Sequence, residues 1–247
     1  MSFRISLISF MCILLVFSLS GCMSVPASSD LTFFIEDRGM FYRDDFPFER
    51  VWEQSGFNKY SYQYLYIAPV NIENLIYLDW WQSIPVEKRA LMANELGLKM
   101  RASLKQAFYN RGTNFFTLVD QPSTGTLILE WALVDVAPNK VVMHALRGTL
   151  GFFNPLVGFC MSGITLLTNK TSLSFEARLR VIETNEVVAT FTDRRYRKFS
   201  FINIKDFTWY GHLYEIIDDW SREFFDVINW GGDGIIQRTS NVEVLPW

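Results

Sequence analysis

The first 22 residues decide which part of this chain can enter a folded domain. Arg4 is the only charged residue before Asp30, and an apolar run broken only by three serines extends from Ile5 to Leu19. A short positive region followed by an apolar stretch is typical of an export signal. The run is short for a transmembrane helix, which needs about 20 apolar residues. The leader therefore predicts a chain that folds after export.

The leader ends in Leu19, Ser20, Gly21 and Cys22: an aliphatic residue, two small residues and a cysteine. Small residues let a peptidase hold the chain in extended form, and a cysteine thiol is the nucleophile that takes a diacylglycerol group. This lipobox pattern predicts a lipoprotein signal peptide over residues 1–21 and a lipid-bearing N-terminus at Cys22. The pattern favours a lipoprotein signal peptide over an ordinary cleaved signal peptide or a simple membrane anchor.

Residue 23 is Met, whereas Asp at this place favours inner-membrane retention of lipoproteins in bacteria with two membranes. Met23 therefore predicts anchoring in outer-membrane lipid, with the folded domain in the periplasm. Each buried methylene contributes about 0.8 kcal/mol, so several acyl chains anchor durably. Residues 22–30 are predicted to form a lipidated tether that spans at most about 3.5 Å per residue.

Removal of the leader leaves 226 of the 247 residues, which suits one domain over residues 31–247. Loss of Arg4 takes the net charge from −3 to −4, and no basic stripe dominates, so nucleic acid is not expected as a partner. With Cys22 acylated and Cys12 removed, only Cys160 remains, and no internal disulfide can form. Stability must come from burial, which the 49% hydrophobic content permits.

Hydrophobic periodicity predicts the regular elements that follow an irregular, aromatic-rich stretch at 31–60. Strands are expected at about 62–68, 115–120 and 126–136, and the last of these is apolar on both faces, as in the centre of a sheet. Amphipathic helices are expected from Pro85 to Gly112 and at about 207–229. The predicted fold is α+β, a mostly antiparallel sheet with the two amphipathic helices packed on one face.

A β-hairpin is expected from two alternating segments that begin at Phe175 and Val187. Their apolar sets share one face if Val181 pairs with Val187, which leaves Glu183–Asn185 as a three-residue loop. Such loops commonly end in a left-handed residue, a conformation that asparagine tolerates.

An ordered set of segments across most of the mature chain resembles domain of unknown function 3313, a family of bacterial lipoproteins. The resemblance implies an envelope lipoprotein of unknown activity and carries over no catalytic residues. One departure is the turn at 184–186, which reads Thr-Asn-Glu where the family often has Thr-Gly-Glu. The segments are 45–48 (DFPF), 66–71 (YIAPVN), 119–122 (VDQP), 132–140 (ALVDVAPNK), 175–178 (FEAR), 186–191 (EVVATF) and 209–212 (WYGH).

Residue types that carry catalysis or bind metal are sparse. The chain has two histidines, His144 and His212, and no pair of free cysteines, so a His- or Cys-rich metal site is not expected. No G-x-S-x-G motif is present, and the neighbours Asp218 and Asp219 would point about 100° apart on a helix. The sequence therefore predicts no enzyme, no catalytic residue, no metal and no cofactor other than the covalent lipid on Cys22.

Two surfaces are candidates for contact. A basic cluster could meet an acidic partner or lipid headgroups, although a solvated strand edge is favoured. The charge-free segment 149–168 is favoured as a buried crossover, with exposed contact with a membrane or partner as the alternative. The basic residues are Arg178, Arg180, Arg194, Arg195, Arg197 and Lys198, and the apolar candidates are Phe152, Phe153, Leu156, Val157 and Phe159.

The sequence therefore favours a non-catalytic envelope lipoprotein that binds another envelope component. The alternative is a carrier or sensor of a lipid or other amphiphile in an aromatic-lined pocket, and a hydrolase is less favoured. A deep apolar cavity would favour the carrier, and a flat apolar patch would favour the adaptor.

Substitution of the acylated residue tests the lipoprotein assignment. Cys22→Ser should leave an unprocessed and unlipidated precursor, because the serine hydroxyl does not replace the thiol as the acyl acceptor. Metabolic labelling with a fatty-acid probe measures this directly. Undiminished label in the variant would refute the assignment.

Overall fold

The computed structural model describes residues 31–79, 82, 84–112, 115–137, 170–198, 211–232 and 234–239. Leu19, Ser20, Gly21 and Cys22 lie outside these residues, as does the apolar segment 149–168 with all five of its candidate contact residues.

Six strands form one sheet in the order β1-β6-β5-β4-β2-β3, and three helices accompany it in the described chain. The strands are β1 (Arg50–Glu53), β2 (Tyr64–Ile67), β3 (Thr117–Val119), β4 (Thr126–Ala137), β5 (Lys170–Val181) and β6 (Val187–Lys198). The helices are α1 (Glu73–Ile76), α2 (Val86–Arg111) and α3 (Gly211–Asn229). Among these described residues, no helix has the length and apolar content that a membrane span requires.

The sheet mixes two kinds of pairing. Strands β4, β5, β6 and β1 pair antiparallel, whereas β2 pairs parallel with both β3 and β4. Parallel neighbours need a crossover connection, and α2 supplies it between β2 and β3. The prediction of a mixed α+β class is confirmed.

Strand β4 lies in the interior of the sheet, between β5 and β2, as its apolar sequence predicts. Leu129 and Trp131 face the helices, whereas Ile128 and Ala132 are buried on the opposite face of the sheet. A strand buried on both faces can be apolar throughout, which accounts for the apolar sequence of this segment.

The hairpin between β5 and β6 differs from its prediction only near the turn. Ala177 pairs with Phe191 and Leu179 with Ala189, so the two apolar sets share one face as expected. A bulge then shifts the register, and Val187 pairs with Arg180 rather than with Val181. The expected pairing and three-residue loop are therefore wrong, because the bulge inserts one extra residue of β6.

Asn185 nevertheless has φ of 59°, the left-handed conformation expected at the end of the turn. Its backbone N–H donates to the carbonyl of Val181 at 2.9 Å.

The stretch at 31–60 is more regular than its sequence suggests, since it contains β1. This four-residue strand pairs with the start of β6 and is too short to show a convincing alternation. Phe48, just before it, is fully buried and packs edge-on against Phe175 and Phe191 at ring distances of 5.5 and 5.7 Å. Phe48 thus packs on the main body, whereas Phe33, Phe41, Tyr42 and Tyr60 of the same stretch are more than half exposed.

The core lies between the sheet and the two long helices. Trp220 and Phe224 of α3 contact Phe175 and Trp131 of the sheet, with ring centroids 4.6 and 5.6 Å apart. Aromatic pairs in these edge-to-face arrangements contribute about 0.5–1.5 kcal/mol beyond their buried area. Helix α2 completes the core with buried Leu96, Met100 and Leu104 and packs against α3.

Close packing of α2 on the segment after β2 requires a glycine. A Cβ on Gly97 would lie 2.9 Å from Cγ2 of Ile72, a distance that folded proteins do not show. Ile72 is β-branched and cannot easily turn its methyl group aside. The short distance between α2 and the segment after β2 therefore depends on the absence of a side chain at position 97.

Gly97→Val should lower the free energy of unfolding by about 1–3 kcal/mol, because overpacking forces the neighbouring chain to shift. Chemical denaturation measures the loss, and Ala102→Val, on the exposed side of the same helix, is the matched control. In an Ile72→Ala background the cost of Gly97→Val should fall by more than half. An equal cost in both backgrounds would contradict the steric explanation.

Candidate functional site

A buried ionic cluster joins β6 to α3. Arg195 is fully buried, and its Nε donates to Asp193 Oδ2 at 2.8 Å. Its two terminal nitrogens donate to both carboxylate oxygens of Glu223, one of them at 2.8 Å. Trp220 completes the cluster by donating from its indole N–H to Asp193 Oδ2 at 2.7 Å.

The prediction of a solvated strand edge is therefore wrong for Arg195. Strand β1 covers the outer edge of β6 over residues 189–192, and Arg195, three residues farther along β6, is fully buried. Arg195 points to the side of the sheet on which α3 packs, where a lone charge would be strongly destabilised. Two carboxylates within hydrogen-bonding distance make its burial possible.

Opposite charges in this cluster act against the cost of burial. Burial acts to lower the pKa of Arg195, but the Asp193 and Glu223 carboxylates raise it overall. Burial raises the pKa of Asp193, and the guanidinium groups of Arg195 and Arg238 oppose that rise. Every group in the cluster has a partner inside the protein, so the arrangement is suited to holding elements together rather than to proton transfer.

The C-terminal segment closes over the same cluster. Arg238 donates to Asp193 Oδ1 at 2.8 Å, and the backbone N–H of Thr239 donates to Glu223 Oε1 at 2.6 Å. These contacts attach residues 236–239 to the domain through the cluster.

The other arginines of the predicted basic cluster whose side chains are described also form ion pairs. Glu130 accepts from Arg178 at 2.6 Å and from Arg180 at 2.5 Å on the sheet face opposite the helices. Burial acts to raise the pKa of Glu130, but these hydrogen bonds lower it overall. Arg194 binds Asp135 at 2.9 Å. The prediction of a solvated strand edge is thus wrong for Arg178, Arg180 and Arg194 as well. The structure does not describe the side chains of Arg197 and Lys198.

The other titratable residues considered from the sequence, His212, Asp218 and Asp219, each contact a different partner. His212 lies near Glu215, with Nδ1 and Oε2 3.3 Å apart. Asp218 contacts Lys99 and Ser103 on α2, while Asp219 binds Arg222. Within the described ranges, no group of three or more His, Cys, Asp and Glu side chains could hold a metal ion. His144 lies outside those ranges.

The most ligand-like feature is an aromatic-lined pocket of about 220 Å³ at the C-terminal end of α3. Its floor is formed by buried Leu179, Ala189 and Phe191 of the β5–β6 hairpin. Further walls come from Phe46 and Phe57, from Val227 and Ile228, and from Trp230.

Lys59 lies at the mouth of this pocket, beside a 3-10 turn at Lys59–Ser61. Its Nζ donates to the carbonyl oxygens of Trp230 at 2.5 Å, Ile228 at 2.9 Å and Val227 at 3.4 Å. These carbonyl groups lie at the C-terminal end of α3, where a cation is favoured by the helix dipole. Burial lowers the pKa of Lys59, while the charge of Glu53 opposes this effect.

A second candidate surface is the outer side of α2. Leu91, Leu98 and Tyr109 are 70, 62 and 66% exposed, and Ala102 is also exposed. At 3.6 residues per turn these four positions lie within about 20° of one line. We call this line the α2 stripe.

The profile of the family described as protein of unknown function (DUF3313) matches residues 43–224. The chain belongs to this family. The resemblance inferred from the sequence is confirmed over a range that includes both the ionic cluster and most of the pocket.

Solved structures with related folds are distant. The PelC dodecamer from Paraburkholderia phytofirmans has a TM-score of 0.39 and 8% identity, covering 73% of this chain and 95% of that one. Hypothetical protein CT253 from Chlamydia trachomatis has a TM-score of 0.36 and 11% identity, covering 68% and 96%. Neither likeness carries an argument about function. No curated protein matches the chain significantly.

Sequence reasoning missed the pocket because its walls come from four distant parts of the chain. Phe57 and Lys59 lie in a stretch without periodicity, and Trp230 follows the last helix. The only local signal was a lysine set among aromatics at 57–60 (FNKY), which does not predict a cavity.

Removal of the buried guanidinium tests the role of the cluster. Arg195→Met should lower the free energy of unfolding by about 3–5 kcal/mol, because it leaves buried carboxylates without their partner. Arg111→Met is the control, since its pair with Asp226 is half-exposed and is worth at most about 1 kcal/mol. Urea denaturation of both variants measures the difference. Equal losses would show that Arg195 does not stabilise the buried charges.

Proposed function

We propose that this protein is a lipoprotein, anchored in the outer membrane through acylated Cys22, whose periplasmic domain binds another envelope protein without catalysing a reaction. The observation that carries the binding role is the α2 stripe. The anchoring rests on the leader and lipobox of the sequence.

The α2 stripe has the shape of a helix-packing surface. Leu91 and Tyr109 are 18 positions apart, which is about 27 Å at 1.5 Å per residue, and Leu98 and Ala102 lie between them. Apolar positions spaced seven and four residues apart lie along one side of a helix, where they can pack against a facing helix. Polar and charged residues such as Glu95 and Lys105 border the stripe, as they do the rim of a protein interface.

The rigidity of α2 supports the same proposal. Its opposite side is fixed in the core by Leu96, Met100 and Leu104, so the stripe is presented without rearrangement. Rigid presentation lowers the entropy cost of association. The expected partner is therefore a protein that offers an apolar helix of similar length.

A second candidate function is favoured by the aromatic-lined pocket. Carriers and sensors of amphiphiles need an apolar cavity with a polar group at its entrance, and the pocket with Lys59 has both. A ligand here would leave the α2 stripe free, because the described lining of the pocket includes no residue of α2.

A photo-crosslinking amino acid at position 98, tested in whole cells, addresses the main proposal. We expect one discrete protein adduct from position 98 and none from position 184, which is exposed at the hairpin turn. Leu91→Glu should reduce the adduct at position 98 by about tenfold or more, because a charge facing an apolar ridge is costly to desolvate. The same adduct at both positions, or none at either, would contradict binding through the α2 stripe.

A further inference from the structure

We infer that the aromatic-lined pocket binds a single-chain monocarboxylate, with its carboxylate at Lys59 and a short alkyl chain against the buried floor of Leu179, Ala189 and Phe191. This inference deepens the second candidate function, on which it rests, and names its ligand class.

The size of the pocket limits the ligand to one short chain. An apolar cavity of roughly 150 Å³ holds a molecule of the size of benzene, whereas sites for drug-sized ligands measure roughly 300–1,000 Å³. The pocket, at about 220 Å³, falls between these values. It therefore accommodates a chain of several methylenes or one ring, but not a diacyl lipid.

The walls require an apolar tail. Ala189 and Ile228 are buried at the back of the pocket, and Phe57 and Trp230 flank it with aromatic rings. Ala189 is the smallest of the floor residues, so a larger side chain at this position would occupy part of the pocket. An alkyl chain placed there would remove apolar surface from water on both sides.

The charge at the mouth requires an anionic head. Among the described residues, Lys59 forms no ion pair, and the nearby Glu53 is 3.6 Å from Arg43 instead. Glu53, the other charged residue of the described lining, is engaged by Arg43, so the ammonium of Lys59 is the positive group that an anionic head can reach. A carboxylate there would also offset the cost of burying the ammonium.

Two hydrogen-bond donors, Lys59 and Tyr60, are positioned to bind a carboxylate head. The longest bond of Lys59, 3.4 Å to the Val227 carbonyl, is the weakest of its three and can be exchanged for a carboxylate oxygen. The hydroxyl of Tyr60, a half-exposed residue, lies 3.5 Å from the Trp230 carbonyl and can donate to the second oxygen. Both groups belong to the same short turn, which positions them together.

The test uses the full chain in isolated membranes and an octanoate probe that carries a diazirine at its terminal carbon. After irradiation, the label should map to peptides that contain Phe57, Phe191 or Trp230. Octanoate should compete at about tenfold lower concentration than octan-1-ol, since a hydrogen bond to a charged group discriminates by roughly this factor. Label outside these peptides, or equal competition by the acid and the alcohol, would overturn the inference.

Matched variants separate charge from cavity. Lys59→Met should remove the advantage of octanoate over octan-1-ol, Lys59→Arg should retain it, and Lys105→Met, a lysine paired with Asp120 away from the pocket, should leave it unchanged. Ala189→Phe should abolish labelling by filling the floor. A thermal melt checks that each variant is folded, and if Ala189→Phe or Lys59→Met is not, the competition in the wild-type chain still decides the outcome. An octanoate advantage that survives in folded Lys59→Met would overturn the carboxylate assignment.

The ligand site and the lipoprotein proposal can be refuted independently of each other. Cys22→Ser should label at the same peptides as the wild type, because the described lining of the pocket comes from residues 46–60, 179–191 and 227–232. Undiminished fatty-acid label in Cys22→Ser, with intact pocket labelling, would refute only the anchoring. Normal acylation and an adduct at position 98, without label in the pocket, would refute only the ligand site.

Discussion

The burial of Arg195 is the constraint on which the arrangement of the helix side of this domain depends. Its guanidinium contacts two carboxylates and the carbonyl of Pro47, so one side chain connects β6, α3 and the chain that enters β1. The segment at 236–239 reaches the same carboxylates through Arg238 and Thr239. A buried charge tolerates little displacement of its partners, because each lost contact leaves an ion in a low-dielectric medium. The cluster therefore fixes the orientation of α3 on the sheet.

That orientation creates the pocket. Trp220 and Glu223 hold the middle of α3 against β6, and the helix then runs on to Val227 and Ile228 beside the β5–β6 hairpin. The small side chain of Ala189 leaves space under the end of the helix, and Lys59 closes the mouth by binding the last carbonyl groups. The stabilising cluster and the binding feature are thus different parts of one helix, and a change in either affects the other through the placement of α3.

Much of the fold could be predicted because it depends on periodicity along the chain. Strand β4 is apolar on both faces and proved to be interior, and the β5–β6 hairpin has its apolar residues on the expected face. The buried stripe of α3, from Leu213 through Trp220 to Val227, follows a spacing of three and four. Strand β1 and the bulge near Val188 were missed, because a four-residue strand and one inserted residue leave no periodic signal.

The sequence by itself determined the leader pattern, the family, the α+β class and the main apolar faces, because each is written in neighbouring residues. Only the tertiary structure decided the fate of the charged residues. Arg195 resembles any arginine in a basic run, yet Glu223, 28 positions away, makes its burial possible. The pocket, likewise, joins Phe57 to Phe191 and Trp230. Charge pairing and cavity shape depend on contacts between segments that are distant in sequence. Local residue spacing does not indicate which of these segments will be in contact.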